Sequence, residues 1–327
     1  MQIRRTPVLL LACMLGIVGC SRQEKLSGSA STNSQLTVAV SAFPVEWLVR
    51  NVGGDRVRTI QLLAPSSDIH DAELNPAAVA QLGETDLVIL VGSGVQPAVE
   101  EALSARQFPN ERILRIADFL AESHVVVGSS GMSPTEPPGK TRPPILHSSL
   151  SAGQVHFWLD PLAQVSAAEY ISKSLSAASP ENADYFKERF ETAKSSLDSL
   201  NTAFSLTLHS CRSRKLVVYH SAFKALANRY GLEEVPVTGS DPEVEPKPSQ
   251  VSAAIEAARN SGAKAVFSDP ESGRAIMEQV ARESGTVVEI LDPIEVPDPD
   301  RDYDSRMRSN LQKIANALGC QESARVK

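Results

Sequence analysis

The chain has 327 residues, 42% of them hydrophobic and 22% charged, and a net charge of −7. That length suits two domains of ordinary size, each able to bury a core of its own. The acidic balance speaks against nucleic-acid binding, and aromatic residues at 5% provide no base-stacking or carbohydrate platform.

Arg4 and Arg5 precede a short apolar run from Val8 to Val18, the pattern of a signal segment too short to span a bilayer. Ile17-Val18-Gly19-Cys20 resembles a bacterial lipobox, which implies cleavage before Cys20 and lipidation of that residue. An ordinary signal peptide with an incidental Cys is the alternative. Residues 1–19 are thus expected to be a lipoprotein signal peptide, and 20–35, rich in Ser and Gly, a flexible tether. No later run has the length of a membrane helix. The mature protein is therefore expected to be exported and lipid-anchored at a bacterial membrane, on its periplasmic or extracytoplasmic side. Cys211 and Cys320 remain as an even pair in a compartment where disulfides persist, and a bridge would close a loop of roughly 110 residues. Two free thiols are the other reading.

Leu36 to Val40 reads as a strand, Pro44 to Val52 as a helix stopped by Gly53-Gly54, and Val57 to Leu63 as a second strand. Asn75 is placed to cap a short helix that begins at Pro76. Asp86 to Val91 is an almost continuous apolar run, the mark of a strand buried on both faces of a parallel sheet. A helix over 96–105 and a strand over 113–116 complete the alternation of an α/β lobe. Residues 123–150, with five prolines and a Gly-Ser-Ser-Gly run, read as a long surface loop. After it, 162–178 is helical. A longer helix runs from Pro180 to about Leu208, with Phe186, Phe190, Ala193, Leu197, Leu200 and Phe204 on one stripe. Lys215 to Phe223 then repeats the plan of Thr37 to Phe43, and Lys247-Pro248 leading to Ala263–Phe267 repeats Asn75-Pro76 leading to the third strand. A helix over 273–283, a strand over 287–291 and a helix over 305–318 close the chain. The expected architecture is α/β: an N-terminal lobe over 36–179, a rigid connecting helix over 180–210 and a C-terminal lobe over 211–327. Their mostly parallel sheets would leave a cleft between the strand ends, where ligands bind in such folds.

Three of the six His share a topological address near strand or helix ends: His70, His156 and His220. Asp292 ends the last strand. Three imidazoles and a carboxylate suit a tetrahedral Zn²⁺ site, although spacing alone does not fix that set, and a His beside Phe157 and Trp158 also fits a packed core.

Several stretches resemble the metal-binding solute-binding lipoproteins of ABC transporters for zinc and manganese (the cluster A-I, or cluster 9, family). They are Pro65-Ser66-Ser67-Asp68-Ile69-His70, Thr85-Asp86-Leu87-Val88-Ile89, His156-Phe157-Trp158-Leu159-Asp160-Pro161, Pro180-Glu181-Asn182-Ala183-Asp184-Tyr185, Tyr219-His220-Ser221-Ala222-Phe223, Glu245-Pro246-Lys247-Pro248 and Leu291-Asp292-Pro293. They occur in the family's order and cover nearly the whole mature chain. The resemblance implies metal ligands at His70, His156, His220 and Asp292, with His220 pointing to zinc where manganese-type members carry Glu. It also implies a membrane permease with a cytoplasmic ATPase as partners; a monomer is expected, and a shell of four protein ligands leaves no open position for an activated water, so binding without catalysis is expected. Asp160 is expected to be a helix N-cap. Neutral imidazoles are required, so affinity is expected to fall below about pH 6. Two departures stand out: only His124 and His147 occur in the loop that is His-rich in many zinc members, and Ile69 precedes His70 where a Pro is usual. Mn²⁺ or Fe²⁺ as cargo and a metal-binding adhesin are the alternative readings. A remote one is an exported serine acyl enzyme, from Ser221 and Lys224 in S-x-x-K spacing without its companion motifs.

Overall fold

The computed structural model describes residues 35–64, 69–70, 73–123 and 155–321. The signal segment, Cys20, the tether and nearly all of the Pro-rich stretch, with His124 and His147, lie outside the described residues. The first lobe runs β1 (Leu36–Val40), α1 (Phe43–Gly53), β2 (Val57–Gln61), α2 (Pro76–Ala80), β3 (Leu87–Leu90), α3 (Pro97–Ala105), β4 (Ile113–Arg115) and α4 (Ile116–Glu122). Two helices follow, α5 (Pro161–Ala178) and α6 (Ala183–Leu208). The second lobe runs β5 (Lys215–Val218), α7 (Lys224–Arg229), β6 (Glu233–Pro236), α8 (Pro248–Ser261), β7 (Ala265–Ser268), α9 (Arg274–Ser284), β8 (Val287–Ile290) and α10 (Tyr303–Leu318).

Each lobe holds a four-stranded parallel sheet, ordered β2-β1-β3-β4 in the first and β6-β5-β7-β8 in the second. The two orders are the same topology, so the sequence echo between the halves is a structural repeat. Side chains alternate across each sheet. Val38, Val40, Leu87 and Ile89 face one core while Ala39, Val88 and Leu90 face another. In the second lobe Leu216 and Val218 face the first of these cores and Val217 and Tyr219 a third. Strands buried on both faces carry no polar alternation, which is why they read as apolar runs.

The core shared by the lobes is lined by α1, α5, α6, α7 and α10. Helix α6 spans 26 residues, about 39 Å at the rise of an α-helix. Its first turns bond to the first lobe, where Arg189 Nε donates to the Asn51 carbonyl at 2.8 Å. Its last turns meet the second, where Tyr230 donates to Asn201 Oδ1 at 3.1 Å and stacks on Phe204. Cys211, just after α6, is disulfide-bonded to Cys320, just after α10. Among the described residues no helix is long and apolar enough to cross a membrane.

Two elements depart from the sequence expectation. β6 carries two glutamates and a proline, and it sits at a sheet edge, where Pro and charge are tolerated because one side of the strand needs no partner. α4 follows β4 with no intervening turn residue, so the apolar run at 113–116 hides the boundary at Ile116.

Candidate metal centre

His156 is positioned from both sides. After it, residues 157–159 form one 3₁₀ turn, and Asp160 caps α5 by accepting from the Leu162 and Ala163 amides at 3.0 and 3.5 Å. Asp160 also takes a bidentate ion pair from Arg229 of the second lobe, at 2.8 to 3.0 Å. Trp158 Nε1 donates to the Pro293 carbonyl at 2.8 Å, and Tyr303 O–H donates to the Trp158 carbonyl. These contacts seat the His156 backbone on the seam between the lobes. The ring is fully buried.

His156 Nε2 lies 3.3 Å from His70 Nε2 and 2.7 Å from Glu295 Oε1. His70 comes from the segment between β2 and α2 and is only half-buried. His220 follows β5, is buried, and places Nε2 3.6 Å from Glu295 Oε1 while its Nδ1 lies 2.6 Å from Asp269 Oδ2. Donor atoms of His70, His156 and Glu295 all lie within 4.8 Å of one another, close enough to share one metal ion. His220 Nε2 has no hydrogen-bond partner among the described residues and adjoins that group.

Electrostatics split the three rings. Burial, followed by the facing His156, lowers the pKa of His70 to about 4, and burial lowers that of His156. Burial also pushes His220 down, but the hydrogen bond to Asp269 and the Glu295 carboxylate outweigh it and raise the pKa to about 10. Glu295 is buried, which alone would raise it. The adjoining His156 and His220 instead hold it well below the usual carboxylate range.

Three of the four sequence-predicted ligands thus converge, and Asp292 does not join them. Its carboxylate is taken by buried Arg306, Nε to Oδ2 at 2.7 Å and Nη2 to Oδ1 at 2.8 Å. A buried guanidinium needs that counter-charge, so Asp292 is engaged by Arg306 and stays outside the converging group. Glu295, three residues further on, supplies the carboxylate at the histidines. The turn between them is strained: Ile294 is a buried, β-branched residue with φ of +58°. Such a conformation persists only where its surroundings impose it. Here the Ile294 amide donates to Asp292 Oδ1 at 2.8 Å, so the Asp292–Arg306 pair braces the turn that directs Glu295 inward. The sequence signal for Glu295 was present as a carboxylate between Ile294 and Val296, an apolar setting that marks a buried segment. Asp269, in a second strand-end Asp-Pro pair, was missed as well. Ser221 donates to Glu234 Oε2 at 2.8 Å, so its hydroxyl proton is committed to a carboxylate instead of being drawn toward Lys224.

Residues 38–317 match the family ZnuA, described as "Zinc-uptake complex component A periplasmic". The chain belongs to this family. Zinc-binding lipoprotein AdcA of Streptococcus pneumoniae (strain ATCC BAA-255 / R6) is 23% identical over 313 residues, 94% of this chain and 60% of AdcA. The chain therefore spans about 60% of the length of that curated relative. The high-affinity zinc uptake system protein ZnuA of Bacillus subtilis (strain 168) is 22% identical over 319 residues, 95% of this chain and 96% of that protein. A solved zinc-bound ZnuA deletion mutant matches with a TM-score of 0.68 at 27% identity, over 88% of this chain and all of that one. The two-lobed α/β fold of this ZnuA-family chain is thus the fold of its relatives.

Proposed function

We propose that this ZnuA-family protein is the extracytoplasmic binding component of a metal ABC importer, taking Zn²⁺ as cargo on His70, His156, His220 and Glu295. The observation that supports this most is the convergence of three imidazoles and one buried carboxylate from four separate segments. Three nitrogen donors favour a borderline cation such as zinc over harder ions that prefer all-oxygen shells. Four protein donors fill a tetrahedral shell and leave no position for an activated water, so the chemistry is capture and hand-over. A lipid on Cys20 would hold the protein at the membrane, where a permease driven by a cytoplasmic ATPase takes the ion. Zinc binding named for the relative AdcA and zinc uptake named for the relative ZnuA support the same reading.

The test is metal analysis and chelator competition on purified, zinc-stripped protein. One zinc per chain is expected, lost in His156→Ala and Glu295→Ala and retained, with weaker affinity, in Asp292→Asn. Full zinc binding by Glu295→Ala together with its loss in Asp292→Asn would return the fourth position to Asp292.

A further inference from the structure

We propose that Asp269 is a positioning residue for this site: by accepting a hydrogen bond from His220 Nδ1 it fixes the ring so that Nε2, and not Nδ1, is offered to the metal. The inference rests on the zinc reading above and concerns one of its ligands. An imidazole can bind a metal through either nitrogen, and the choice is set by what the other nitrogen does. The two His220 nitrogens stand in unlike surroundings. Nδ1 lies 2.6 Å from Asp269 Oδ2, a short, charge-assisted contact. Nε2 has no hydrogen-bond partner among the described residues and faces Glu295 at 3.6 Å, toward His156. With the Nδ1 proton held by Asp269, the proton that metal binding displaces is the one on Nε2, and the lone pair it frees lies on the ligand side.

Asp269 is itself held in place. It follows β7 directly, is buried, and its Oδ2 accepts from Ser272 Oγ at 3.3 Å. The other buried ligand ring, His156, has no partner on Nδ1 among the described residues. Its orientation comes instead from the backbone contacts of Trp158 and Asp160. The two lobes therefore orient their imidazoles by different means: a backbone seat for His156, a carboxylate behind the ring for His220.

The experiment is chelator competition for zinc on wild type, Asp269→Asn, His220→Ala and the double variant, with His156→Ala as the control for the site. Asp269→Asn is expected to weaken zinc binding about 10- to 100-fold, the usual effect of losing such a partner. In the His220→Ala background the same substitution should change affinity by no more than about two-fold, because Asp269 acts only through that ring. Additive losses in the double variant, or wild-type affinity in Asp269→Asn, would overturn the proposal. If wild type binds no zinc, or His156→Ala binds it normally, the site itself fails. A second measurement needs no variant: the imidazole ¹⁵N spectrum of the zinc-loaded protein should show His220 protonated at Nδ1 and metal-bound at Nε2. Metal on Nδ1 would overturn it even if Asp269→Asn does not fold.

Discussion

The His220–Asp269 pair sets how the site responds to pH. His70, lowered to about 4, and the likewise lowered His156 are neutral at neutral pH, and Glu295 is ionised. Raised to about 10, His220 carries a proton that must leave Nε2 before a metal can bind there. Metal binding needs the deprotonated form, so apparent affinity should climb with pH across the window from about 4 to about 10, by roughly tenfold per unit. That differs from the sequence-based expectation of a fall confined below pH 6, which assumed unperturbed imidazoles. Calorimetry at pH 7 in buffers of different ionisation enthalpy should register about one proton released per zinc, and no release would refute the assignment to His220. The residue scale also shows what the sequence could not reveal. The three converging histidines were legible because each sits in a motif at an element boundary. The carboxylate nearest them was not, because Asp292 and Glu295 share one loop, and only the position of Arg306 on α10, distant in the chain until folded, decides which of the two faces the histidines.

Among the elements, the turn at 292–295 has the most to lose. It holds a non-glycine residue at positive φ, and its brace is a buried ion pair to α10 supplemented by Asn310, whose side chain bonds both the Asp292 amide and its carbonyl. Arg306→Met would strip Asp292 of its bidentate buried partner and leave only the half-exposed Arg301, 3.9 Å away, as counter-charge, at a cost of up to about 3–5 kcal/mol. It should also weaken zinc binding without removing a ligand. Denaturant unfolding of the metal-free protein, read beside chelator competition, separates the two effects, and a variant with unchanged stability would show that the pair does not brace the turn. The disulfide acts on a different element pair. Linking α6 to α10 across a sequence separation of 109 residues, it should stabilise by about 4–5 kcal/mol in the chain-entropy description. Cys211→Ser with Cys320→Ser is expected to lower the unfolding midpoint accordingly, while zinc stoichiometry stays at one because neither cysteine belongs to the candidate metal group. Elements with a strong period or a clear cap, such as α5, α6 and the central strands, were readable from sequence. β6 was not, because an edge strand's residues are chosen against further pairing and carry no apolar signature.

At the scale of the whole molecule the two sheets do not behave as separate bodies, because one apolar core includes Val38, Trp158, Phe204, Phe223 and Ile314 together. Asp160–Arg229 and the Trp158–Pro293 bond cross the same seam. Wide opening of the lobes would expose that core and strip Asp160, which is fully buried, of its partner. Metal release is therefore expected to come from His70, the one member of the four that is not fully buried, and not from a hinge between lobes. The same argument predicts the unfolding behaviour. Both tryptophans lie at the seam, Trp47 packed on Tyr303 and Trp158 bonded to the Pro293 carbonyl, so their fluorescence reports the junction of the lobes, whereas far-ultraviolet circular dichroism reports the helices and strands of both. With a shared core the two signals should trace one coincident denaturant transition, as for a single cooperative unit. Saturating zinc should move both to higher denaturant together, since a ligand bound from both lobes stabilises both. Arg229→Met, which leaves the Asp160 carboxylate buried without its counter-charge, should shift the transition down by about 3–5 kcal/mol while keeping the signals together. Fluorescence and dichroism that separate in the wild-type protein would mean that the lobes unfold independently, and the seam around His156 would then be a contact between domains instead of a core.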